Sequence, residues 1–525
     1  LWTTPFLAEF EGLFKAAPTT PKSTLIAALR KDLEREAVDF LQFVPSVKKF
    51  FAQDVPRVVK CGDTQGWQAV DIHVGSRCNA CDWLGNRDWL SPVDLAFYDA
   101  NPNHYCVPST KACGHLSQIA NLSRGARKVL EANGTKDVAS LQALPATDPT
   151  LSRHSFLKKH RNGLAGKAGA LITNINSSGL TSKVTSLAKG VELRACAAVT
   201  FDSSAGRLTG VGFRADVLPP YGHAASLKHL KYVAYMVERN TDDAEWIVLK
   251  QFIDDLVDSA IQAAKHLDPT NAKPKLPYTQ IYFWEYRQYE ELCKAFGRHL
   301  PRILSLPDSK QRALAWLFPS DDLLERDDGA ISPAIVFVQD IVERAMNLPV
   351  AHVYTLLATV AVYHHPKLPP ISGVDTFYSE PLSNGIPRER TFEIWTNTSG
   401  VVQWGKSHSL PLSKAVDRYC GHLKVLAYSL NSIVAKLDHD FRSALKGKAK
   451  RLDLSGIGTK KGIAFDSQLW AQWSQLEHAT ASTEAGAALG ASHEELEARY
   501  EAIVLTKVLA NLGGNRYRFK VSSDS

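Results

Sequence analysis

The sequence predicts a multidomain protein of the α/β and α+β classes, and three observations lead to that prediction. The chain has 525 residues, which at roughly 150 residues per domain is enough for three or four domains. Strand-like and helical segments alternate between residues 192 and 346. Four of the eight cysteines fall between positions 78 and 113, ahead of those segments. With 45% apolar and 22% charged residues, the composition excludes a wholly disordered chain, a collagen and a small disulfide scaffold.

Two regions precede the sheet: region 1–56 is predicted to be helical, and region 57–190 contains the clustered cysteines. In region 1–56, apolar residues recur with helical period over 22–53, and Pro45 and Pro56 interrupt the pattern. Region 57–190 begins with a strand-like stretch over 57–75. It continues through the cysteines into helices that run from Ser117 to about Asn174.

Region 191–366 is predicted to form a mixed sheet flanked by helices. We expect strands over 192–202, 207–215, 231–238 and 279–284. We expect helices over 244–267, 285–303, 309–316 and 332–346. The order β-β-β-α-β-α fits a ribonuclease-H-like fold, and an α+β sheet of another topology is the alternative.

Region 367–525 is predicted to be mainly helical. A loop-rich stretch covers 367–403, and helices are expected over 411–448, near 467–477 and over 494–511. Gly513 and Gly514 end the last helix, and a strand is expected over 516–521.

The clustered cysteines predict a metal site. Cys78-x2-Cys81 allows two thiolates to bind one metal from a single tight turn, and Cys106 and Cys113 complete a tetrahedral set. Cys61 is an alternative ligand. The spacing fits either a 4Fe–4S cluster or zinc, and four free thiols are the remaining interpretation.

Neither a signal peptide nor an apolar run of about 20 residues occurs. We therefore expect a metal site in a reducing cytoplasm, in a protein without a membrane segment.

Positive charge is concentrated in residues 107–170, which contain ten Lys or Arg residues and three acids. A second basic run covers 446–461. Localised positive charge predicts contact with a polyanion, and a solvated basic face is the alternative.

Residues 117–145 look like a helix-hairpin-helix element, which holds the DNA backbone without reading bases. A turn at Ser123–Gly125 would present backbone N–H groups to a phosphate. An ordinary packing of two helices is the alternative. The residues predicted to bind DNA in this segment are Arg124, Arg127, Lys128, Lys158, Lys159 and Arg161.

The sheet region supplies carboxylates, but not the full set that a two-metal nuclease requires. Asp202 ends the first strand, Glu285 follows the fourth, and Asp340 lies on a later helix, behind an acidic loop over 321–328. The partner position of an Asp-x-Glu pair is Ser204, which is a poor ligand for a divalent ion. We expect a degenerate domain whose candidate catalytic residues are Asp202, Glu285 and Asp340. No intact P-loop and no intact nuclease motif occurs in the chain.

These residues resemble one family, the RecB-like, Cas4-related nucleases that are fused to superfamily-1 helicases. The resemblance rests on RCNACDWLG (77–85), CGHLSQIANLSRGARKVLEANG (113–134), QIYFWEYRQYEELCKAF (280–296) and the final stretch 494–525. It implies a 4Fe–4S cluster on Cys78, Cys81, Cys106 and Cys113. It also implies that 1–56 is the last part of a nuclease fold and that 367–525 leads toward a helicase motor. The chain starts at Leu1 rather than Met, and we expect it to be a piece of a longer protein.

Three hypotheses for function follow. The first is the DNA-binding central region of a nuclease–helicase in DNA repair or anti-phage defence. Its partners would be the DNA phosphate backbone and separate nuclease or helicase segments or subunits. The second is an independent metal-dependent exonuclease of the DEDD or ribonuclease-H-like type. The third is a zinc-stabilised protein-interaction subunit.

Overall fold

The structure is a computed structural model, and the chain divides into a unit Leu1–Asp71 and a unit Ile72–Ser525. The structure describes residues 44–57, 59–60, 71–79, 81–86, 92–178, 187–218, 228–311, 313–317, 334–404, 408–443, 447–448, 505–513 and 516–521, and five single residues between 467 and 474. In the first unit an α-helix over Val44–Lys49 continues as a π-helix over Phe50–Asp54. Pro45 lies in the first turn of this helix, where proline is tolerated. The rest of the predicted helix 22–53 lies outside the described residues.

A five-stranded mixed sheet forms the centre of the second unit. Its strands are β1 (Leu193–Asp202), β2 (Arg207–Val217), β3 (Lys228–Met236), β4 (Thr279–Phe283) and β5 (Ile335–Phe337). The order across the sheet is β3-β2-β1-β4-β5. Strands β1, β2 and β3 are antiparallel neighbours, whereas β4 is parallel to β1 and β5 is parallel to β4. Fold class is therefore mixed α/β.

Helices cover both faces of the sheet. On one face, α6 (Asp242–Leu267) and α7 (Tyr286–Arg298) pack on Leu193, Ala195 and Val199 of β1. On the other face, α8 (Val338–Ala345), α9 (Leu356–Val362) and α11 (Leu412–Asp440) pack around Cys196 and Ala198. Because both faces are covered, nine of the ten residues of β1 are buried, which explains its nearly continuous apolar sequence.

Two glycines of β2 allow α11 to approach the sheet closely. Gly210 and Gly212 lie two residues apart and therefore on the same face of the strand. A Cβ atom at Gly212 would lie 2.2 Å from the carbonyl oxygen of Leu423 in α11. Further along, Asn431 of α11 donates to Asp216 of β2. The helix thus runs beside the strand, and the small residues are located where the two backbones meet.

The cysteine region and the basic helices precede the sheet. Their α-helices are α1 (Pro92–Ala100), α2 (Cys106–Ala112), α3 (Arg124–Ala132), α4 (Val138–Gln142) and α5 (Ser155–Thr173). Single 3-10 turns cover Ser76–Cys78, Asp82–Leu84, Pro102–His104, Leu116–Gln118 and Pro149–Ser152. Leu116, Ala126, Leu130, Leu141, Leu157 and Leu164 form the core of α3–α5.

Several shorter elements complete the description, most of them after β4. Short helices cover Leu300–Leu304, Asp308–Gln311 and Ala313–Leu317, and α10 (Arg388–Trp395) follows α9. A hairpin joins β6 (Val401–Trp404) to β7 (His408–Pro411), and another joins β8 (Leu505–Gly513) to β9 (Arg516–Val521). Two-residue strands cover Ser177–Ser178, Ala188–Lys189, Met346–Asn347 and Gly447–Lys448.

Three predicted helices were wrong in part. The helix predicted over 411–448 is observed as Leu412–Asp440, and residues 447–448 form a two-residue strand. Residues 335–337 of the predicted helix 332–346 form the edge strand β5, and among the described residues of that range the helix covers Val338–Ala345. Residues 505–511 of the predicted helix 494–511 belong to strand β8. Short apolar runs do not distinguish a buried strand from a buried helix.

None of the helices in the described part of the chain combines the length and the apolar character needed to cross a lipid bilayer.

Candidate nucleic-acid interface and cysteine site

The CxxC motif forms a closed turn at the start of the second unit. The backbone N–H of Cys81 donates to the carbonyl oxygen of Cys78 at 3.0 Å, which brings the two cysteines together. Leu84, three residues further, is buried in a small core with Val74, Val353 and Leu382. The turn is therefore fixed by its own backbone and by one apolar residue.

Helix α2 brings Cys106, but not Cys113, to that core. Cys78 and Cys106 are both half-buried and both pack against the small core around Leu84. Cys113 caps the other end of α2, is exposed, and has its sulfur 3.7 Å from the carbonyl oxygen of Thr110. Seven residues at 1.5 Å per residue separate the two ends of the helix by about 10 Å.

Electrostatics also group Cys106 with the CxxC turn. Burial, together with the neighbouring Cys81 and Cys78, raises the pKa of the Cys106 thiol to about 11. Across the described ranges, no group of three or more His, Cys, Asp or Glu side chains is arranged to hold a metal ion. The described cysteines are present as free thiols. Cys61, the alternative ligand, lies outside the described residues. The Cys78, Cys81 and Cys106 thiols are therefore neighbours, but they are not arranged around a common metal position.

The predicted phosphate-binding turn at Ser123–Gly125 is a helix cap. The Ser123 hydroxyl accepts the backbone N–H of Ala126 at 3.1 Å, and this bond begins α3. Gly125 is buried in the first turn of the helix. The segment before it, Leu116–Gln118, is a single 3-10 turn rather than a helix. The hairpin lies later, where Gly134 with φ +92° connects α3 to α4.

The six predicted DNA-binding residues differ in exposure. Arg124 and Lys128 of α3 are exposed, as are Lys158 and Arg161 of α5, and the side chain of Lys159 is outside the described residues. Arg127 is buried, with 2% of its surface exposed. Its guanidinium lies 3.1 Å from Glu131 and 3.1 Å from the His115 ring. Arg127 therefore stabilises the helical region and is not presented to a phosphate.

The three acids of segment 107–170 are engaged within the segment. Glu131 pairs with Arg127, Asp137 accepts the N–H of Ser140 in a capping box, and Asp148 accepts the N–H of Thr150. Hydrogen bonds from Ser140 lower the pKa of Asp137, and those from Thr150 lower the pKa of Asp148. In this stretch of the described chain, the exposed side chains of Lys128, Lys136, Lys158 and Arg161 form no ion pair. The segment thus presents unpaired positive charge to solvent.

Asp202 has a structural role at the β1–β2 hairpin. One carboxylate oxygen accepts from the Ser204 N–H, the Ser204 hydroxyl and the Ala205 N–H, and the other accepts from Arg388 at 3.1 Å. Burial alone would raise the pKa of Asp202, but the bonds from Ser204 and Ala205 outweigh it and lower the pKa. Ser204, expected as a poor metal ligand, is thus part of the turn that holds Asp202.

The strand register also separates Asp202 from Glu285. Cys196 is opposite Tyr282 in the parallel β1–β4 pair, so Asp202 lies six residues beyond this pairing and Glu285 only three. The difference of three residues corresponds to about 10 Å along the strands. Glu285 is the N-cap of α7, and Asp340 lies in the first turn of α8 after β5. The acidic loop 321–328 lies outside the described residues.

A loop before α10 joins the cysteine turn to this edge of the sheet. We call residues 379–388 the bridging loop. The N–H of Leu382 donates to the side chain of Asn79 at 2.7 Å, between Cys78 and Cys81. Asn384 donates to Glu285 at 3.2 Å, and Arg388 binds Asp202. Sequence reasoning missed all three loop residues, because the loop carries no motif.

Comparison with protein-family models, with curated proteins and with solved structures finds no match to this chain.

Glu245 is a further buried carboxylate, and no motif in the sequence singles it out. It lies in the first turns of α6, is fully buried, and accepts from Arg298 at 2.6 Å, His299 at 3.0 Å and the Leu208 N–H at 2.8 Å. Burial alone would raise the pKa of Glu245, but the bonds from His299 and Arg298 lower it to about 2. With its oxygens occupied by these donors, Glu245 joins α6, α7 and β2.

Proposed function

We propose that the chain is a DNA-binding central region of a RecB-like nuclease–helicase that acts in DNA processing, in repair or anti-phage defence. Helices α3–α5 hold the phosphate backbone, and the sheet domain is a ribonuclease-H-like domain that does not cut. One observation carries the proposal. In segment 107–170 the acids are used for caps and one internal ion pair, while Lys128, Lys136, Lys158 and Arg161 face solvent unpaired. Such charge binds polyanions through counterion release.

The sheet supports the second part of the proposal. Three antiparallel strands, then a helix and two strands parallel to the first, follow the β-β-β-α-β-α order expected of a ribonuclease-H-like domain. At its carboxyl edge the strand register separates Asp202 from Glu285, and Asp202 is held by Ser204, Ala205 and Arg388. Two-metal hydrolysis requires ions about 4 Å apart between shared carboxylates, and this arrangement does not supply them.

The test is DNA binding measured by fluorescence anisotropy over a range of salt concentrations. The variant replaces Lys128, Lys158 and Arg161 with Gln. We expect weaker binding to all duplex sequences alike, and a salt slope reduced by up to about 0.9 per lost phosphate contact, or ~3 in total.

A matched control replaces three exposed lysines of the sheet domain, Lys265, Lys273 and Lys275, with Gln. It removes the same charge and should leave the slope unchanged. Equal effects of the two triple variants would show that net charge, rather than helices α3–α5, governs binding. Wild-type protein that binds no DNA at low salt would refute the proposal and favour a zinc-stabilised interaction subunit. Cleavage that depends on Mg²⁺ or Mn²⁺ would favour the independent exonuclease.

A further inference from the structure

The CxxC turn brings two thiols into the geometry that a disulfide bond requires. The backbone N–H of Cys81 donates to the carbonyl oxygen of Cys78 at 3.0 Å, which closes the turn. The first and last Cα atoms of such a turn are less than about 7 Å apart. Cα atoms of disulfide-bonded cysteines are usually about 4.4–6.8 Å apart. Cys78 ends a 3-10 turn, in which side chains three residues apart project from the same side. Cys78 and Cys81 can therefore be joined without unfolding the turn.

Cys106 and Cys113 do not form a second pair of this kind. Helix α2 begins at Cys106 and is capped by Cys113, so the two residues are about 10 Å apart along its axis. This separation exceeds the range for a disulfide, and a bond from the Cys113 N–H to the Ser109 carbonyl oxygen closes the last turn of the helix. The local backbone thus favours a bond within the CxxC turn.

The two thiols of the turn differ in their access to solvent. Cys81 is exposed, whereas Cys78 is half-buried and its sulfur lies 3.8 Å from the carbonyl oxygen of His73. A dissolved reagent therefore meets Cys81 first. An exposed thiol with a second thiol behind it can be attacked or can attack, and the second thiol can then resolve the mixed disulfide.

Asn79, between the two cysteines, connects the turn to the sheet domain. Its side-chain oxygen accepts the Leu382 N–H at 2.7 Å, and its side-chain nitrogen donates to the Ser76 carbonyl oxygen at 3.1 Å. Leu382 is buried and belongs to the bridging loop, which reaches the edge of the sheet at Arg388. A covalent bond across the turn would therefore constrain the residue that anchors this loop.

We propose that Cys78 and Cys81 form a redox-active dithiol, which low-molecular-weight disulfides oxidise and whose state is transmitted to the bridging loop. The Cys81 thiolate attacks one sulfur of the small disulfide, and the first small thiol leaves. The Cys78 thiolate then attacks the Cys81 sulfur and releases the second small thiol. The protein loses two electrons and two protons, and the small disulfide gains them. The proposal does not rest on DNA binding.

The first test measures pairing in the wild-type full chain. Protein that has been reduced and treated with a chelator is equilibrated with glutathione buffers of constant thiol and increasing disulfide concentration. Free thiols are then alkylated with iodoacetamide, and tryptic peptides are identified by mass spectrometry. Cys78 and Cys81 share peptide 78–87, whereas Cys106 and Cys113 fall on peptides 88–111 and 112–124.

We expect peptide 78–87 to lose both alkylation sites in one step and to become lighter by two hydrogen atoms than its reduced, unalkylated form. Alkylation of both cysteines at every disulfide concentration would overturn the proposal. A disulfide that joins peptide 78–87 to either of the other two peptides would also overturn it.

The control for pairing without the turn is the same chain unfolded in urea. Ordering a single residue changes an equilibrium constant by roughly fivefold to thirtyfold, so the folded chain should be half-paired at a disulfide concentration at least about fivefold lower. Cys113→Ser should leave that concentration unchanged, whereas Cys81→Ser should leave Cys78 alkylated throughout. Equal midpoints for the folded and the unfolded chain would refute the role of the turn.

Hydrogen exchange tests the link to the bridging loop. Exchange of the Leu382 N–H requires its bond to Asn79 to open, and a disulfide across the turn restricts this local opening. We expect oxidation to slow exchange at Leu382 severalfold and to leave the amides of strand β1 unchanged. The same exchange rate at Leu382 in both states would overturn the transmission to the loop.

Discussion

Replacing Gly212 with alanine should separate helix α11 from the sheet. The added Cβ would meet the backbone of Leu423, at 2.2 Å from its carbonyl oxygen and 2.8 Å from its carbonyl carbon. Neither atom is the end of a flexible side chain. Ordinary contact starts near 3.4 Å, so the helix must move by more than 1 Å or the strand must bend.

The cost follows from what that movement disturbs. Leu423 and Tyr419 are fully buried against this face, and the Tyr419 hydroxyl donates to Thr209 at 2.8 Å. Overpacking of a tight core by one methyl group costs about 1–3 kcal/mol, and more when the obstacle is backbone. We therefore expect Gly212→Ala to lower the free energy of unfolding by roughly 3 kcal/mol or more.

The control is Gly421→Ala on the same helix, where a Cβ would meet no atom within 4 Å. Alanine is favoured over glycine inside a helix by about 1 kcal/mol, so this variant should be more stable than wild type. Urea unfolding followed by circular dichroism measures both variants. If Gly212→Ala matched or exceeded wild-type stability, the close seating of α11 on β2 would be wrong.

Two further predictions concern buried carboxylates. Asp202→Asn should leave nuclease assays with Mg²⁺ or Mn²⁺ at the same background as wild type, because its oxygens bind Ser204, Ala205 and Arg388; wild-type cleavage that the substitution abolishes would contradict this. The pKa of Glu245 is about 2 when folded and near 4.3 when unfolded, so its contribution to stability is complete above pH ~4.3 and is lost as the pH falls toward 2. Glu245→Gln should cost roughly 3–5 kcal/mol at neutral pH, because Arg298 keeps its charge without a buried partner, and should flatten the decline between pH 4 and 2. Urea titrations at several pH values measure this decline. If Glu245 were not the titrating group, the free energy of unfolding would fall with pH as steeply in Glu245→Gln as in wild type.

The sequence predicted the long, regular elements of the sheet domain well. The strand expected over 192–202 is observed as Leu193–Asp202, and the helix expected over 244–267 as Asp242–Leu267. Both carry their own periodic or continuous apolar pattern. The three-residue strand Ile335–Phe337 was missed because its pairing with β4 is set by tertiary contacts that no local pattern records.

The candidate site was less predictable, because spacing along a chain is not distance in space. The CxxC spacing correctly suggested one turn, but the next pair, Cys106 and Cys113, has the spacing of two helical turns. Arg127 was grouped with Lys128 by charge alone, although one faces the core and the other faces solvent. Predicting a helix over 106–112 would have separated Cys106 from Cys113. A helical projection of α3 would have placed Arg127 and Lys128 on different faces.

The bond between Asn79 and Leu382 also has a consequence for biosynthesis. Its two residues are 303 positions apart in the chain. At about 5–20 residues per second, a ribosome adds Leu382 some 15 to 60 s after Asn79. During that interval the turn of Cys78 and Cys81 has neither its Leu382 cover nor its link to the edge of the sheet. Newly made thiols thus meet the metals and oxidants of the cell before the loop that anchors their turn has been translated.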